Sequence, residues 1–218
     1  MSGKLYGVGV GPGDPELLTL KAVKTIRMAE VIACPAKGDV PGFAYRIAEK
    51  AIPEIADKEK LLLSFPMAKS GTEEDHLKAA ENIISQLKAG KTVAFLTLGD
   101  PGFYSTFSYI SEIIAEKGYT VEMISGVPSF CAVSARLMLP LAIGEEAVLI
   151  SSGEYADFSG TQVIMKAGSR LKALKERVHA EGKEAFLVEN CGMEGERIYS
   201  GIGDMSDETG YFSTLIVK

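Results

Sequence analysis

The sequence predicts an α/β fold built as two α/β domains. The N-terminal domain, residues 1–123, carries a mostly parallel sheet with flanking helices, and the C-terminal domain, residues 124–218, a mixed sheet. Three observations predict this. From Lys4 to Ile124, short apolar runs alternate with segments of helical period, the alternation that gives a parallel sheet with helices on both faces. Glycine and proline clusters punctuate the joins between runs and helices. Beyond a boundary near residues 122–126, strand candidates outnumber helices, which implies a second, mixed sheet. A chain of 218 residues accommodates two domains of about 100 residues each.

The first run, Lys4 to Val10, leads into Gly7-Val8-Gly9-Val10-Gly11-Pro12-Gly13-Asp14-Pro15. Four glycines alternating over seven residues omit the side chains that would cover a neighbour and let backbone approach backbone or ligand. The segment therefore reads as strand, tight loop, helix. Asp14 is the expected N-cap and Pro15 the first helical residue, with Leu17, Leu20 and Val23 on one face of a helix running to Met28. Val31 to Cys34 is a second strand, ended by Pro35. A helix over Gly42 to Ala51 stops at Pro53, and Leu61 to Leu63 is a third strand.

Phe65 to Gly71 reads as a loop. Thr72 with Glu73 to Asp75 caps a helix to about Ala89, whose apolar positions are Leu77, Ala80, Ile83, Ile84 and Leu87. Val93 to Leu98 is apolar enough to be a central parallel strand. After Gly99 to Thr106 a helix extends to about Glu116, and Thr120 to Ile124 is the fifth strand. Ser125 to Ser129 opens an apolar helix to about Leu139, closed by Pro140. The C-terminal strand candidates are Ala147 to Ser151, Thr161 to Met165, Ala185 to Glu189, Glu196 to Tyr199 and Phe212 to Val217, with one helix at about Ser169 to Ala180.

Composition narrows the function. Hydrophobic residues make up 46% and charged residues 24% of the chain, which is globular rather than disordered composition. A net charge of -6, without any long lysine and arginine run, argues against nucleic-acid binding. No apolar run approaches the ~20 residues that span a bilayer, and the N-terminus lacks a secretory pattern, so a soluble cytoplasmic protein is expected. Cys34, Cys131 and Cys191 are far apart and read as reduced thiols. With His76 and His179 as the two histidines, no protein-bound metal is expected.

In an open parallel sheet, ligands bind outside the carboxyl ends of the strands. The first glycine loop, Gly99-Asp100-Pro101 and Ser125-Gly126-Val127-Pro128 each follow a strand of the first domain, so they should share one edge. A dinucleotide fingerprint needs glycine at relative positions one, three and six. Counted from Gly7 the sixth residue is Pro12, and from Gly9 it is Asp14, which disfavours a nicotinamide dehydrogenase. A phosphate-cradling Gly-Lys-Ser/Thr ending is also absent.

The combination of Val8-Gly9-Val10-Gly11-Pro12-Gly13-Asp14, Leu17-Leu18-Thr19-Leu20-Lys21-Ala22, Leu98-Gly99-Asp100-Pro101, Ser125-Gly126-Val127-Pro128-Ser129 and Val188-Glu189-Asn190 resembles the tetrapyrrole (corrin/porphyrin) methylases over essentially the whole chain. Within them, Leu96-Thr97-Leu98-Gly99-Asp100, Tyr104-Ser105-Thr106, Arg136 to Ile143 and Tyr211 to Val217 are most similar to the precorrin-2 / cobalt-factor II C-20 methyltransferases of cobalamin synthesis. The resemblance implies S-adenosylmethionine as methyl donor, a tetrapyrrole substrate with or without cobalt, a homodimer, and a ligand cleft between the two domains. Carried over by position, Pro12, Leu98, Gly99, Asp100, Phe103, Pro128, Ser129, Met165 and Cys191 are the expected cofactor contacts, many through backbone. Asp100 is the candidate catalytic residue.

On the substrate side, Gly11 and Gly13 would let a broad macrocycle lie close, and Lys21 and Arg136 are the candidate contacts. Because the ring carries many carboxylates and the chain is acidic, Arg46, Lys69, Lys166 and Arg170 are further candidate cations. Met67, Met138 and Met193 are candidates to line a flat apolar slot. The alternatives are a methylase for another ring carbon and a non-catalytic tetrapyrrole carrier. Against the family pattern, Ser125-Gly126-Val127 replaces Pro-Gly-Val, Asn190-Cys191-Gly192 replaces Asn-Gly, and the Gly153 to Gly160 loop is short.

Overall fold

The computed structural model describes residues 3–65 and 72–218; the candidate residues Met67 and Lys69 lie outside the described residues. The chain divides into two compact units, Met1–Pro128 and Ser129–Lys218, each with its own sheet. The α/β class expected from the sequence is borne out, with one mostly parallel and one mixed sheet.

The first unit runs β1 (Lys4–Gly9), a 3-10 turn (Pro15–Leu17), α1 (Leu20–Met28), β2 (Val31–Lys37), β3 (Val40–Pro41), α2 (Phe43–Ala51), a second 3-10 turn (Pro53–Asp57), β4 (Glu59–Ser64), α3 (Glu73–Lys88), β5 (Val93–Thr97), α4 (Phe107–Glu116) and β6 (Thr120–Ile124). The path β3-β2-β5-β1-β6 has β4 pairing with β2, and β3 alone is antiparallel. All five residues of β5 are buried between its neighbours, as a central parallel strand requires. One face packs Leu5, Val31, Ala33, Val93 and Phe95 against Ala79, Ile83 and Leu87 of α3 and Phe107, Ile110 and Ile114 of α4.

Three local expectations are corrected. The helix expected over Leu17–Met28 is broken, because Leu18 and Thr19 are extended. Asp14 caps only the 3-10 turn, while the Thr19 hydroxyl accepts the Ala22 amide and restarts the chain as α1, the favoured N-cap geometry. The buried face is then Ala22, Thr25 and Ile26, and Leu20 is 81% exposed. Pro35 does not end β2. It sits opposite Leu63 of β4, beyond the last residue that pairs with β5, so its missing N–H breaks no ladder with β5. In α3, Leu77 is exposed and His76 is buried in its place, the His76 ring stacking on Tyr109 of α4 at 4.7 Å.

The second unit runs α5 (Ser129–Leu137), β7 (Val148–Ser152), β8 (Thr161–Met165), a 3-10 turn (Gly168–Arg170), α6 (Leu171–Ala180), β9 (Ala185–Glu189), β10 (Arg197–Tyr199), a 3-10 turn (Ile202–Asp204) and β11 (Ser213–Val217). The order is β10-β9-β11-β8-β7, antiparallel except for β7 with β8. Its core joins Ile164, Leu187 and Leu215 to Leu171, Leu174 and Val178 of α6. Among the described residues, no helix is long and apolar enough to cross a membrane.

Candidate functional site

In the first unit, parallel register brings the carboxyl ends of β1, β5 and β6 level: Gly9 lies opposite Thr97, and Val8 opposite Ile124. The three loops that follow touch through bare backbone. The Gly11 amide donates to the Gly99 carbonyl at 3.2 Å, and the Gly99 amide donates back to Gly11 at 2.8 Å. Both glycines are left-handed, with φ of 76° and 71°. A Cβ on Gly126 would lie 2.1 Å from the Gly99 carbonyl oxygen and 2.8 Å from the Gly9 Cα. Only residues without side chains let three chain segments approach so closely.

Asp100 fastens this arrangement. Its Oδ1 accepts the Gly102 amide at 2.7 Å, and its Oδ2 accepts the Gly126 amide at 2.9 Å. Thr19 adds a second tie, donating from Oγ1 to the Ser125 carbonyl at 3.1 Å. Behind the loops, the buried hydroxyls of Thr97 and Ser105 are 2.8 Å apart, and Ser105 also accepts the Phe107 amide at the start of α4. Pro12 and Gly13 are buried in the first loop, Leu98 and Pro128 are partly exposed, and Phe103 is exposed. The structure thus brings together Gly11, Pro12, Gly13, Leu98, Gly99 and Asp100 at one strand-end edge.

Lys21 is placed differently from the expected free cation. Its ammonium pairs with Glu122 of the edge strand β6 at 3.2 Å, and Lys4 approaches the same carboxylate at 2.8 Å. The hydrogen bond from Lys4, reinforced by that from Lys21, holds Glu122 below the ordinary carboxylate range. The Lys21 charge is therefore already matched on the surface of the unit.

In the second unit, one end of the sheet gathers left-handed residues. Ser152 and Thr214 both lie opposite Met165, and Ser213 lies opposite Glu189. The residues just past these strand ends include Gly153, Lys166, Asn190 and Gly192, with φ of 76°, 56°, 50° and 73°. Met165 and Cys191 belong to this row. Arg136, near the end of α5, donates from Nε to Glu196 at 3.3 Å, and the same carboxylate oxygen accepts the Gly192 amide at 2.6 Å. Cys191 is buried beside them. Burial, with the Glu196 charge adding to it, pushes its thiol up to about 11. Arg136 is thus an anchor of the Cys191-Gly192 turn as well as a candidate substrate contact. Ser129 opens α5, partly exposed.

Sequence reasoning places the Ser125-Gly126-Val127-Pro128 turn at the ligand edge but does not single out Gly126 within it, or Thr19, as site-forming. A signal for Gly126 was present, since it follows an apolar strand and opens a helix, as Gly99 follows β5. For Thr19 no pattern distinguishes a second N-cap five residues after Asp14. Among the described residues, no group of three or more His, Cys, Asp or Glu side chains could hold a metal ion.

Known proteins share this architecture. The probable cobalt-precorrin-2 C(20)-methyltransferase of Methanocaldococcus jannaschii is 34% identical over 99% of this chain and 96% of its own length. The precorrin-2 C(20)-methyltransferase of a Sinorhizobium species is 32% identical over 99% and 95%. The solved uroporphyrin-III-C-methyltransferase of Thermus thermophilus superposes with a TM-score of 0.74 at 25% identity, covering 100% of this chain and 92% of that one. The family model of the Tetrapyrrole (Corrin/Porphyrin) Methylases matches residues 4–204, a match that takes in both the glycine-loop cluster and the left-handed row, and the chain belongs to that family.

Proposed function

We propose that this chain is an S-adenosylmethionine-dependent C-methyltransferase that adds a methyl group to carbon 20 of precorrin-2 or cobalt-factor II in cobalamin biosynthesis. The observation that carries the reading is the backbone-only cluster of Gly9, Gly11, Gly99 and Gly126 at the carboxyl edge of β1, β5 and β6, in a chain alike along its whole length to C(20)-methyltransferases. In this reading Pro12, Leu98, Gly99, Asp100, Phe103, Pro128, Ser129, Met165 and Cys191 hold the donor. Gly11 and Gly13 leave room for the ring, and Arg136 faces it. The substrate is a tetrapyrrole with or without cobalt, the enzyme works in the cytoplasm, and two copies of the chain assemble as a homodimer.

The donor residues fit such a group. Each oxygen of the Asp100 carboxylate accepts one amide, and a carboxylate has about four lone-pair sites, so it retains capacity for the hydroxyls of a nucleoside. When bound, S-adenosylmethionine supplies an electrophilic methyl group, and a reduced tetrapyrrole is electron-rich at its meso carbons. The work left to the protein is alignment in a dry site, which is worth about 7–11 kcal/mol of barrier. Asp100 contributes by fixing the loops rather than by taking the proton. That proton leaves carbon 20 for water or a ring carboxylate.

The test is incubation of the purified protein with cobalt-factor II and methyl-labelled S-adenosylmethionine, followed by carbon NMR of the product. Label at carbon 20 is expected; label at any other ring carbon overturns the assignment.

A further inference from the structure

We propose that Lys166 is a specificity-determining contact for the ring substrate, pairing its ammonium with one peripheral carboxylate while the Tyr211 ring holds it in place. The inference rests on the methyltransferase reading and deepens it. A cation not already paired with a protein carboxylate is the better partner for a peripheral carboxylate of the ring, and the candidates differ in this respect. Lys21 pairs with Glu122, Arg136 with Glu196, and Arg170 with Glu154 and the Gly153 carbonyl. Arg46 meets no carboxylate within 4 Å among the described residues and lies over the Phe43 ring, but it is a helical residue of α2 rather than the neighbour of an expected donor contact. Lys166 immediately follows Met165, and among the described residues no carboxylate lies within 4 Å of its Nζ. That ammonium lies over the Tyr211 ring, 5.4 Å from Nζ to the centroid.

The backbone adds a second, independent observation. Lys166 is left-handed, with φ of 56°. Its companions at this edge include glycines and Asn190, the residue types that take the conformation with least strain. A lysine there is a worse choice for folding than asparagine or glycine, and residues held in such regions cluster at ligand-binding positions. The conformation is enforced by the neighbouring strand: the Ala167 amide donates to Ser213, and the Asn190 amide donates to Phe212. Phe212 meets Tyr211 edge-on, with centroids 5.2 Å apart. Tyr211 is 57% exposed, so a cation on its face keeps donors for a carboxylate arriving from outside.

The experiment compares wild type with Lys166→Asn, Lys166→Met and Lys166→Arg. It measures steady-state kinetics and equilibrium fluorescence titration with cobalt-factor II, calorimetry with S-adenosylhomocysteine, and thermal midpoints. Loss of one charge-assisted hydrogen bond should raise KM and the ring Kd about tenfold in the Asn and Met variants. Affinity for S-adenosylhomocysteine should stay within about twofold of wild type, and Lys166→Arg should stay within about threefold for the ring. Lys166→Asn should melt no lower than wild type, because asparagine suits the left-handed turn; it keeps the comparison available if Lys166→Met unfolds.

Ring affinity unchanged in Lys166→Asn, or a parallel loss of S-adenosylhomocysteine binding, overturns the proposal. A wild type that binds the ring but transfers no methyl overturns the methyltransferase reading and leaves the Lys166 comparison intact. A wild type that binds no ring overturns both.

Discussion

The carboxylate of Asp100 accepts the amide of Gly126 at 2.9 Å across 26 residues of sequence, and so ties the end of β5 to the end of β6. Its other oxygen holds Gly102 within its own loop. A side chain engaged in this way positions backbone, and its removal should be felt in folding and ligand binding together.

Asp100→Asn tests this directly. The amide side chain offers one acceptor oxygen where two are used, so one of the two backbone N–H groups loses its partner. Leaving such a donor unsatisfied costs about 1–3 kcal/mol. Urea denaturation should report a loss of that size, and S-adenosylhomocysteine should bind more weakly by calorimetry. If the variant keeps full stability and cofactor affinity while kcat alone collapses, Asp100 acts as a proton acceptor and the positioning role is wrong.

Gly126→Ala addresses the packing of the three loops. The new methyl would lie 2.1 Å from the Gly99 oxygen and 2.8 Å from the Gly9 Cα, and both neighbours are backbone that cannot rotate away. Overpacking of this kind costs about 1–3 kcal/mol, occasionally more. Gly201→Ala serves as the control, because its Cβ would meet nothing within 4 Å and its φ is -173°. The expected result is a lowered thermal midpoint for Gly126→Ala and an unchanged one for Gly201→Ala. Equal midpoints would mean that the loops are not held as described.

Much of this was legible in the sequence, and the reason is local. Where one residue's chemistry decides the outcome, the reading holds. Thr72 and Asp75 form the reciprocal capping box that starts α3, the helix expected over Gly42 to Ala51 forms as α2 and stops before Pro53, and Val93 to Thr97 is the fully buried strand its composition announces. Where long-range contacts decide, the reading fails. His76 rather than Leu77 is buried because α4 offers Tyr109 as a stacking surface, a fact outside any window of α3. Pro35 stays in its strand because β5 stops pairing two residues earlier. In the site, glycine spacing pointed to the loops, but the Asp100 tie to Gly126 joins segments whose adjacency only the register of β1, β5 and β6 creates. Lys21 and Arg136 suited an acidic substrate by charge, yet the carboxylates they meet, Glu122 and Glu196, lie 101 and 60 residues away.

The Glu196 relationship yields a prediction on the thiols. Cys131 is exposed, whereas Cys34 and Cys191 are buried, with burial as the first cause pushing each of the latter two thiols up to about 11. Thiol reagents attack the thiolate, so at pH 8 a group with that value presents on the order of one reactive molecule in a thousand. A colorimetric thiol titration of the native protein should therefore show one fast cysteine, Cys131, and two slow ones. At Cys191 the negative charge of Glu196 acts in the same direction as burial. Glu196→Gln removes the charge while keeping an oxygen that can accept the Gly192 amide. The Cys191 value should fall, and its reaction should quicken by about 3–10-fold. It should remain slower than Cys131, because burial, the larger cause, is untouched. Peptide mapping of the labelled thiols assigns the phases. A Cys191 rate that does not change in Glu196→Gln would show that the carboxylate does not act on the thiol, and a Cys191 as fast as Cys131 in the wild type would contradict its burial.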